Sequence, residues 1–177
     1  EFIKRMGERE ETIHITGCPS IDLLAEGDLS LSKDIFKKYQ GTGFDLDISE
    51  DYLLVLQHPV TTEYGSGLKQ IEETLDAIKK ILEKNQNLQA VWLWPNVDAG
   101  SDHISKGIRK FRERNRNYKI HFYRNFSPED YAKVLNNCKC IIGNSSSGIR
   151  EASFLGIPSV NIGSRQSDRE RSNNVID

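Results

Sequence analysis

Short apolar runs alternate with longer charged, amphipathic stretches along most of this chain, and that alternation limits the fold more than any other feature. The runs are Thr12 to Thr16, Tyr52 to Gln57, Leu88 to Trp94, Tyr118 to Tyr123, Cys138 to Gly143 and Pro158 to Ile162. They are rich in β-branched or aromatic residues, as strands buried on both faces are. Between them, Leu68, Ile71, Leu75, Ile78, Ile81 and Leu82 recur at three- and four-residue spacing and place one apolar stripe on a helix. Ile104, Ile108 and Phe111 do the same for a second helix, which Ser101 or Asp102 would cap. Ser127-Pro128-Glu129-Asp130 is a helix start, with an N-cap, a proline at the first position and acids near the positive end of the dipole. A last helix is predicted from Ser146 to Phe154, stopped by Gly156 and Pro158.

Strands alternating with helices in this way predict an α/β fold: a Rossmann-like parallel sheet with helices on both faces. Residues 1–50 read as a lead-in or linker segment that carries one strand and two helices, with Gly41 to Glu50 as a loop. Residues 51–177 read as the Rossmann-like domain proper. The first residue is Glu1 and the chain stops at Asp177 after an Arg- and Asn-rich loop, so a truncated C-terminus is expected.

Charge and cysteine content narrow the function classes. Lys and Arg number 24 against 26 Asp and Glu, leaving a formal net charge of -2. No global basic excess recruits nucleic acid or an anionic membrane surface, and no apolar run approaches the length of a bilayer span. The three cysteines, Cys18, Cys138 and Cys140, form no disulfide framework and no zinc spacing. With no secretory signal, the cytoplasm is the expected compartment. No metal site is expected.

In a parallel sheet the loops after the strands gather along one edge, and here those loops are polar and rich in Gly, Pro and Asn. The most informative is Gly143-Asn144-Ser145-Ser146-Ser147-Gly148-Ile149-Arg150-Glu151. A strand ends, small residues turn the chain and a helix begins, which offers free N–H groups and serine hydroxyls to a phosphate. Glu151, about 7.5 Å further along the axis at roughly 1.5 Å per residue, could accept hydrogen bonds from ribose hydroxyls. A serine-rich helix cap with a solvated Glu–Arg pair is the plain alternative. The lack of a P-loop lysine and of G-x-G-x-x-G excludes Walker-type and dinucleotide fingerprints. His58, directly after a strand, could donate to a phosphate oxygen or serve only structurally. Asn96 and Asp98 sit at an equivalent strand end, where turn chemistry is the alternative. Arg165 offers a planar fork for phosphate oxygens. His14, His103 and His121 read as structural or surface residues.

Five ordered motifs resemble a known family. They are Thr16-Gly17-Cys18-Pro19-Ser20-Ile21-Asp22, His58-Pro59-Val60-Thr61-Thr62, Pro95-Asn96-Val97-Asp98-Ala99-Gly100-Ser101, the serine loop above, and Gly156 to Gln166. Together they are similar to the C-terminal half of the UDP-N-acetylglucosamine 2-epimerases, within the hydrolysing, sialic-acid-pathway branch. That resemblance implies a glycosyltransferase-B-like enzyme of two Rossmann-like domains, of which this chain is the UDP-gripping one. By the same resemblance His58 contacts the diphosphate and stabilises the leaving group, and Asn96 lines the nucleotide end of the cleft. Ser145 and Ser146 hold phosphate, Glu151 the ribose hydroxyls, and Arg165 lies near the nucleotide. The implied reaction converts UDP-N-acetylglucosamine and water to N-acetylmannosamine and UDP, through anti elimination to a 2-acetamidoglucal. The proton-handling acids belong to the other domain, so this chain alone is expected to be inactive. No cofactor is implied, and the full-length enzyme is expected to be a homo-oligomer. A hydrolysing epimerase of another UDP-sugar, such as a diacetamido-trideoxyhexose, is one alternative. A glycosyltransferase and a non-catalytic nucleotide-binding module of the same fold are others.

Overall fold

The computed structural model describes residues 1–177. In chain order the elements are α1 (Phe2–Arg5), α2 (Pro19–Glu26), α3 (Ile35–Lys38), β1 (Gly41–Gly43), β2 (Asp51–Leu56), α4 (Gly67–Lys84), β3 (Leu88–Leu93), α5 (Ser101–Arg114), β4 (Ile120–Tyr123), α6 (Pro128–Asn137), β5 (Cys140–Gly143), α7 (Glu151–Leu155), β6 (Ser159–Asn161) and β7 (Val175–Ile176). The strands form one sheet in the order β1-β4-β3-β2-β5-β6-β7. All neighbours run parallel except β1, which pairs antiparallel with β4.

Side-chain alternation along the strands divides the core in two. Tyr52, Leu54, Leu56 and Ile141 face α6, with Ile35 and Phe36 of α3 packed beside them. Leu53, Val55, Trp92 and Ile142 face the opposite way, under the apolar stripes of α4 and α5. Ile71, Leu75, Ile78, Ile104 and Ile108 are at most 1% exposed there, and each such burial contributes about 1.5–3 kcal/mol. Toward β7 this second face opens: Ile142, Val160 and Ile176 stand opposite one another across β5, β6 and β7 and are 8%, 36% and 69% exposed.

The chain leaves β2 toward β3 and β4, then returns to place β5 on the other side of β2. Ligand sites in open α/β sheets lie at such a switch point, beyond the carboxyl ends of the two diverging strands. Leu56 pairs with Gly143 at that end. Gly143 adopts φ +140°, and a Cβ built there would sit 1.8 Å from the Leu56 carbonyl oxygen.

Several expectations need correction. Residues 12–16 form no strand: a 3₁₀ turn covers Glu10–Thr12, and Ile15 is 99% exposed because no strand lies alongside to pair with it. The first 50 residues carry three helices rather than two, and their strand is β1, inside the segment read as a loop. A Cβ at Gly41 would come within 2.4 Å of His121 Nε2 and one at Gly43 within 2.2 Å of the Ile120 carbonyl oxygen, so glycines permit this close edge pairing. The N-cap of α5 is Gly100, in a left-handed conformation, with no side-chain cap from Ser101 or Asp102. The helix expected from Ser146 to Phe154 is broken into a 3₁₀ turn at Ser146–Gly148 and the five-residue α7. Ser127 does cap α6, its hydroxyl accepting the Asp130 N–H at 3.3 Å.

Replacing Gly143 with alanine combines a disfavoured φ with backbone overlap, each costing about 1–3 kcal/mol. A loss of about 3 kcal/mol or more is expected from urea unfolding of the Gly143→Ala protein. A change below about 1 kcal/mol would mean that the β2–β5 junction relaxes easily.

Candidate functional site at the β2–β5 switch point

One residue beyond Leu56 and Gly143, the two chains are tied by side chain rather than ladder. Asn144 is 2% exposed. Its Oδ1 accepts the His58 N–H at 2.7 Å and its Nδ2 donates to the His58 carbonyl at 2.8 Å. The Asn144 N–H donates to Leu56 O at 3.0 Å. The Asn144 carbonyl accepts from Gln166 Nε2 at 2.8 Å and Arg165 Nη1 at 3.2 Å. Every polar group of this buried residue is thereby satisfied, as burial requires, and the loops after β2, β5 and β6 are fixed to one another.

His58 is 8% exposed and lines the cavity described below. Its Nδ1 accepts the Asn96 N–H at 3.2 Å. An accepting Nδ1 assigns the proton of the neutral ring to Nε2, leaving that N–H as a donor. Burial, with a further contribution from the Arg165 guanidinium and against the pull of Asp98, pushes its pKa down to about 4. The ring is therefore a neutral donor at pH 7. Arg165 Nη2 lies 3.8 Å from Asp98 Oδ2, and Asn96 Nδ2 donates to the same oxygen at 3.2 Å.

On the β5 side the serine turn uses much of its own backbone. Ser145 Oγ accepts the Ser147 N–H at 3.3 Å, Ser145 O the Gly148 N–H, and Ser146 O the N–H groups of Ile149 and Arg150. The N–H groups of Ser145 and Ser146 make no hydrogen bond within the chain. Gly148 packs where a Cβ would stand 2.6 Å from Ser159 Oγ, which holds the turn against β6. Tyr131 of α6 donates its hydroxyl to Ser147 Oγ at 2.6 Å. Glu151 opens α7, and its Oε1 accepts from Ser20 Oγ of α2 at 2.9 Å.

His58, Asn96, Ser145, Ser146, Glu151 and Arg165 all line a single cavity of about 440 Å³. Trp94, Arg124 and Leu93 form part of its wall, and Glu151 is the sole carboxylate among the lining residues. Three participants escaped sequence reasoning. Asn144 lay inside the serine motif but looked like a turn residue. Tyr131 lies just past the helix start read at Ser127 to Asp130, and its hydroxyl gave no separate signal. Ser20 is 131 positions from Glu151 and nothing local connects them. One expected element is weaker than anticipated: the long helix dipole behind Ser146 is replaced by a 3₁₀ turn and a short helix, which leaves hydroxyls and two free amides as the polar groups of this turn.

The model of the family described as UDP-N-acetylglucosamine 2-epimerase matches residues 1–176. The chain is 36% identical over 173 residues to the UDP-N,N'-diacetylbacillosamine 2-epimerase (hydrolyzing) of Legionella pneumophila, covering 98% of this chain and 42% of that protein. It is 31% identical over 172 residues to the UDP-N-acetylglucosamine 2-epimerase of Neisseria meningitidis serogroup B, covering 97% of this chain and 42% of that protein. Among solved structures, the S. aureus MnaA–UDP co-structure superposes with a TM-score of 0.59 at 16% identity, covering 92% of this chain and 39% of that one. The chain thus spans about two fifths of the length of the curated relatives it matches. The fold is the Rossmann-like one of a glycosyltransferase-B half.

The depressed pKa of His58 has a stability consequence. Between its ordinary value of 6.5 and about 4, the unfolded chain binds a proton that the folded chain refuses. Stability conferred by neutral His58 is thus complete above 6.5 and falls as pH drops toward 4, by up to about 3 kcal/mol. Urea titrations across this range are expected to show that slope in the native protein and a shallower one in His58→Gln. Equal slopes would place the proton uptake elsewhere.

Proposed function

This chain belongs to the UDP-N-acetylglucosamine 2-epimerase family, and we propose that it is the UDP-binding half of a hydrolysing member. The observation that supports this reading most is the convergence of His58, Asn96, Ser145, Ser146, Glu151 and Arg165 on one cavity at the switch point. The reading assigns the diphosphate to the free amides and hydroxyls of Ser145 and Ser146 together with the Nε2–H of His58. A neutral imidazole donor there stabilises charge developing on the departing phosphate without needing to be protonated. The Glu151 carboxylate takes the two ribose hydroxyls, with Ser20 holding its other side. Arg165, anchored on the Asn144 carbonyl, balances the negative charge of the nucleotide, and Asn96 completes that end.

In the proposed reaction a base removes the C2 proton of UDP-N-acetylglucosamine as the C1–O bond to UDP breaks on the opposite face, giving a 2-acetamidoglucal. Water then adds at C1 and a proton returns to C2, releasing N-acetylmannosamine. A base and an acid must face the sugar for this. The cavity wall supplies one carboxylate, which the reading commits to ribose. The chain alone is therefore proposed to bind UDP without turning over a UDP-sugar, the proton-handling groups residing in the remainder of the parent enzyme. A second reading, favoured by the 36% identity to a protein named for UDP-N,N'-diacetylbacillosamine, keeps the same chemistry on a diacetamido-trideoxyhexose. Solvent-deuterium incorporation at C2, measured on the parent enzyme with each UDP-sugar, separates the two.

Calorimetric titration is the direct test. UDP is expected to bind in preference to ADP and CMP, and Glu151→Ala to weaken it by about 1.5–3 kcal/mol through loss of a charge-assisted partner. A folded protein with no preference for UDP, or unaffected by Glu151→Ala, would refute the assignment.

A further inference from the structure

Asn144 is not among the residues that touch the cavity described above, yet it carries the connections of those that do. Its side-chain amide forms a two-point clamp on the main chain of His58, accepting the N–H at 2.7 Å and donating to the carbonyl at 2.8 Å. A paired amide contact of this kind fixes both the position and the tilt of a backbone unit, whereas one hydrogen bond leaves rotation about its own axis free. The clamp lies just past the in-register pair Leu56 and Gly143, where the β2–β5 ladder ends. Beyond it, the imidazole is oriented from the far side by the Asn96 N–H on Nδ1. The Asn144 carbonyl receives Arg165 Nη1 and Gln166 Nε2, so the guanidinium that faces the ring is anchored on the same residue.

Resting on the UDP-binding reading, we propose that Asn144 is the positioning residue of the site: it aims the His58 Nε2–H into the cavity and holds Arg165 at its side, without contacting ligand. The residue type is dictated by this task. Aspartate cannot donate to the His58 carbonyl, serine is too short to span both backbone groups, and glutamine's extra methylene would carry its amide past the two His58 groups that Asn144 meets at 2.7 and 2.8 Å. The carboxylate and guanidinium that flank His58 are Asp98 and Arg165, and neither is substituted in the variants below.

The test combines UDP calorimetry with ¹⁵N spectra of the histidine rings in the full 177-residue chain. A cycle is formed from Asn144→Ala, His58→Ala and the double variant. If Asn144 acts through His58, the Asn144→Ala protein binds UDP about tenfold more weakly, and the double variant binds no more weakly than His58→Ala alone. In the same Asn144→Ala spectra the His58 ring shifts from a single Nε2–H tautomer toward a mixture. Multiplied losses in the double variant, or an unchanged His58 tautomer, would overturn the proposal and leave Asn144 as a purely structural residue. Should Asn144→Ala not fold, Asn144→Ser serves in the cycle, and the native protein supplies an independent check. There the His58 amide must exchange with solvent as slowly as the β2 ladder, and fast exchange would remove the clamp. Failure of the native chain to bind UDP would count against the UDP reading alone, because the tautomer and exchange measurements judge the clamp without ligand.

Discussion

Gly143, where a Cβ would collide with the carbonyl of Leu56, decides where everything chemical can sit. With no Cβ in the way, β5 runs beside β2 to its last residue and then diverges. That divergence creates a place at the center of the sheet where polar loops meet over the hydrophobic core. Asn144 then converts proximity into rigidity, satisfying in one buried residue the polar groups that two departing strands would leave exposed. Burial makes the arrangement strict: an unmade hydrogen bond at 2% exposure costs about 1–3 kcal/mol, far more than the same bond contributes when formed at a surface.

Much of this was legible beforehand. The α/β class, the central strands and the long helices α4, α5 and α6 follow from periodicity, because strands buried on both faces and helices buried on one leave unmistakable apolar patterns. That the six candidate residues would converge on one cavity was foreseeable because strand-end loops of a parallel sheet must gather on one edge. What the sequence could not reveal was long-range or permissive. An edge strand made of Gly41, Thr42 and Gly43 has no apolar signature, since its pairing depends on the absence of side chains. The Ile13 and Ile15 alternation looked like a strand but has no partner in space. The break between Ser146 and Glu151 is set by a Ser145 hydroxyl and by Gly148 meeting β6, contacts that no helical pattern encodes.

The same logic explains why Ser20, Tyr131 and Asn144 were overlooked while Glu151 was not. Glu151 announces itself as a charge at a loop end. The others act through a single hydroxyl or amide within otherwise ordinary contexts: a helix start, an apolar stripe, a turn. Their partners lie on other elements, up to 131 positions away. The cavity is therefore assembled by residues from both sides of the chain's midpoint: α2, although outside the alternating pattern, lines it through Ser20 and Leu24, while α3 packs Ile35 and Phe36 into the core.

The glycine edge has one more consequence, which concerns solubility. Sheets grow when an exposed outer strand offers both a run of unpaired backbone groups and side chains that an incoming strand can interdigitate with. Here one margin is three residues of Gly-Thr-Gly and the other is a two-residue strand. The first is too short to template a neighbour and offers almost nothing to grip. The β1 margin is thus guarded against strand-by-strand polymerisation by scarcity of atoms rather than by charge.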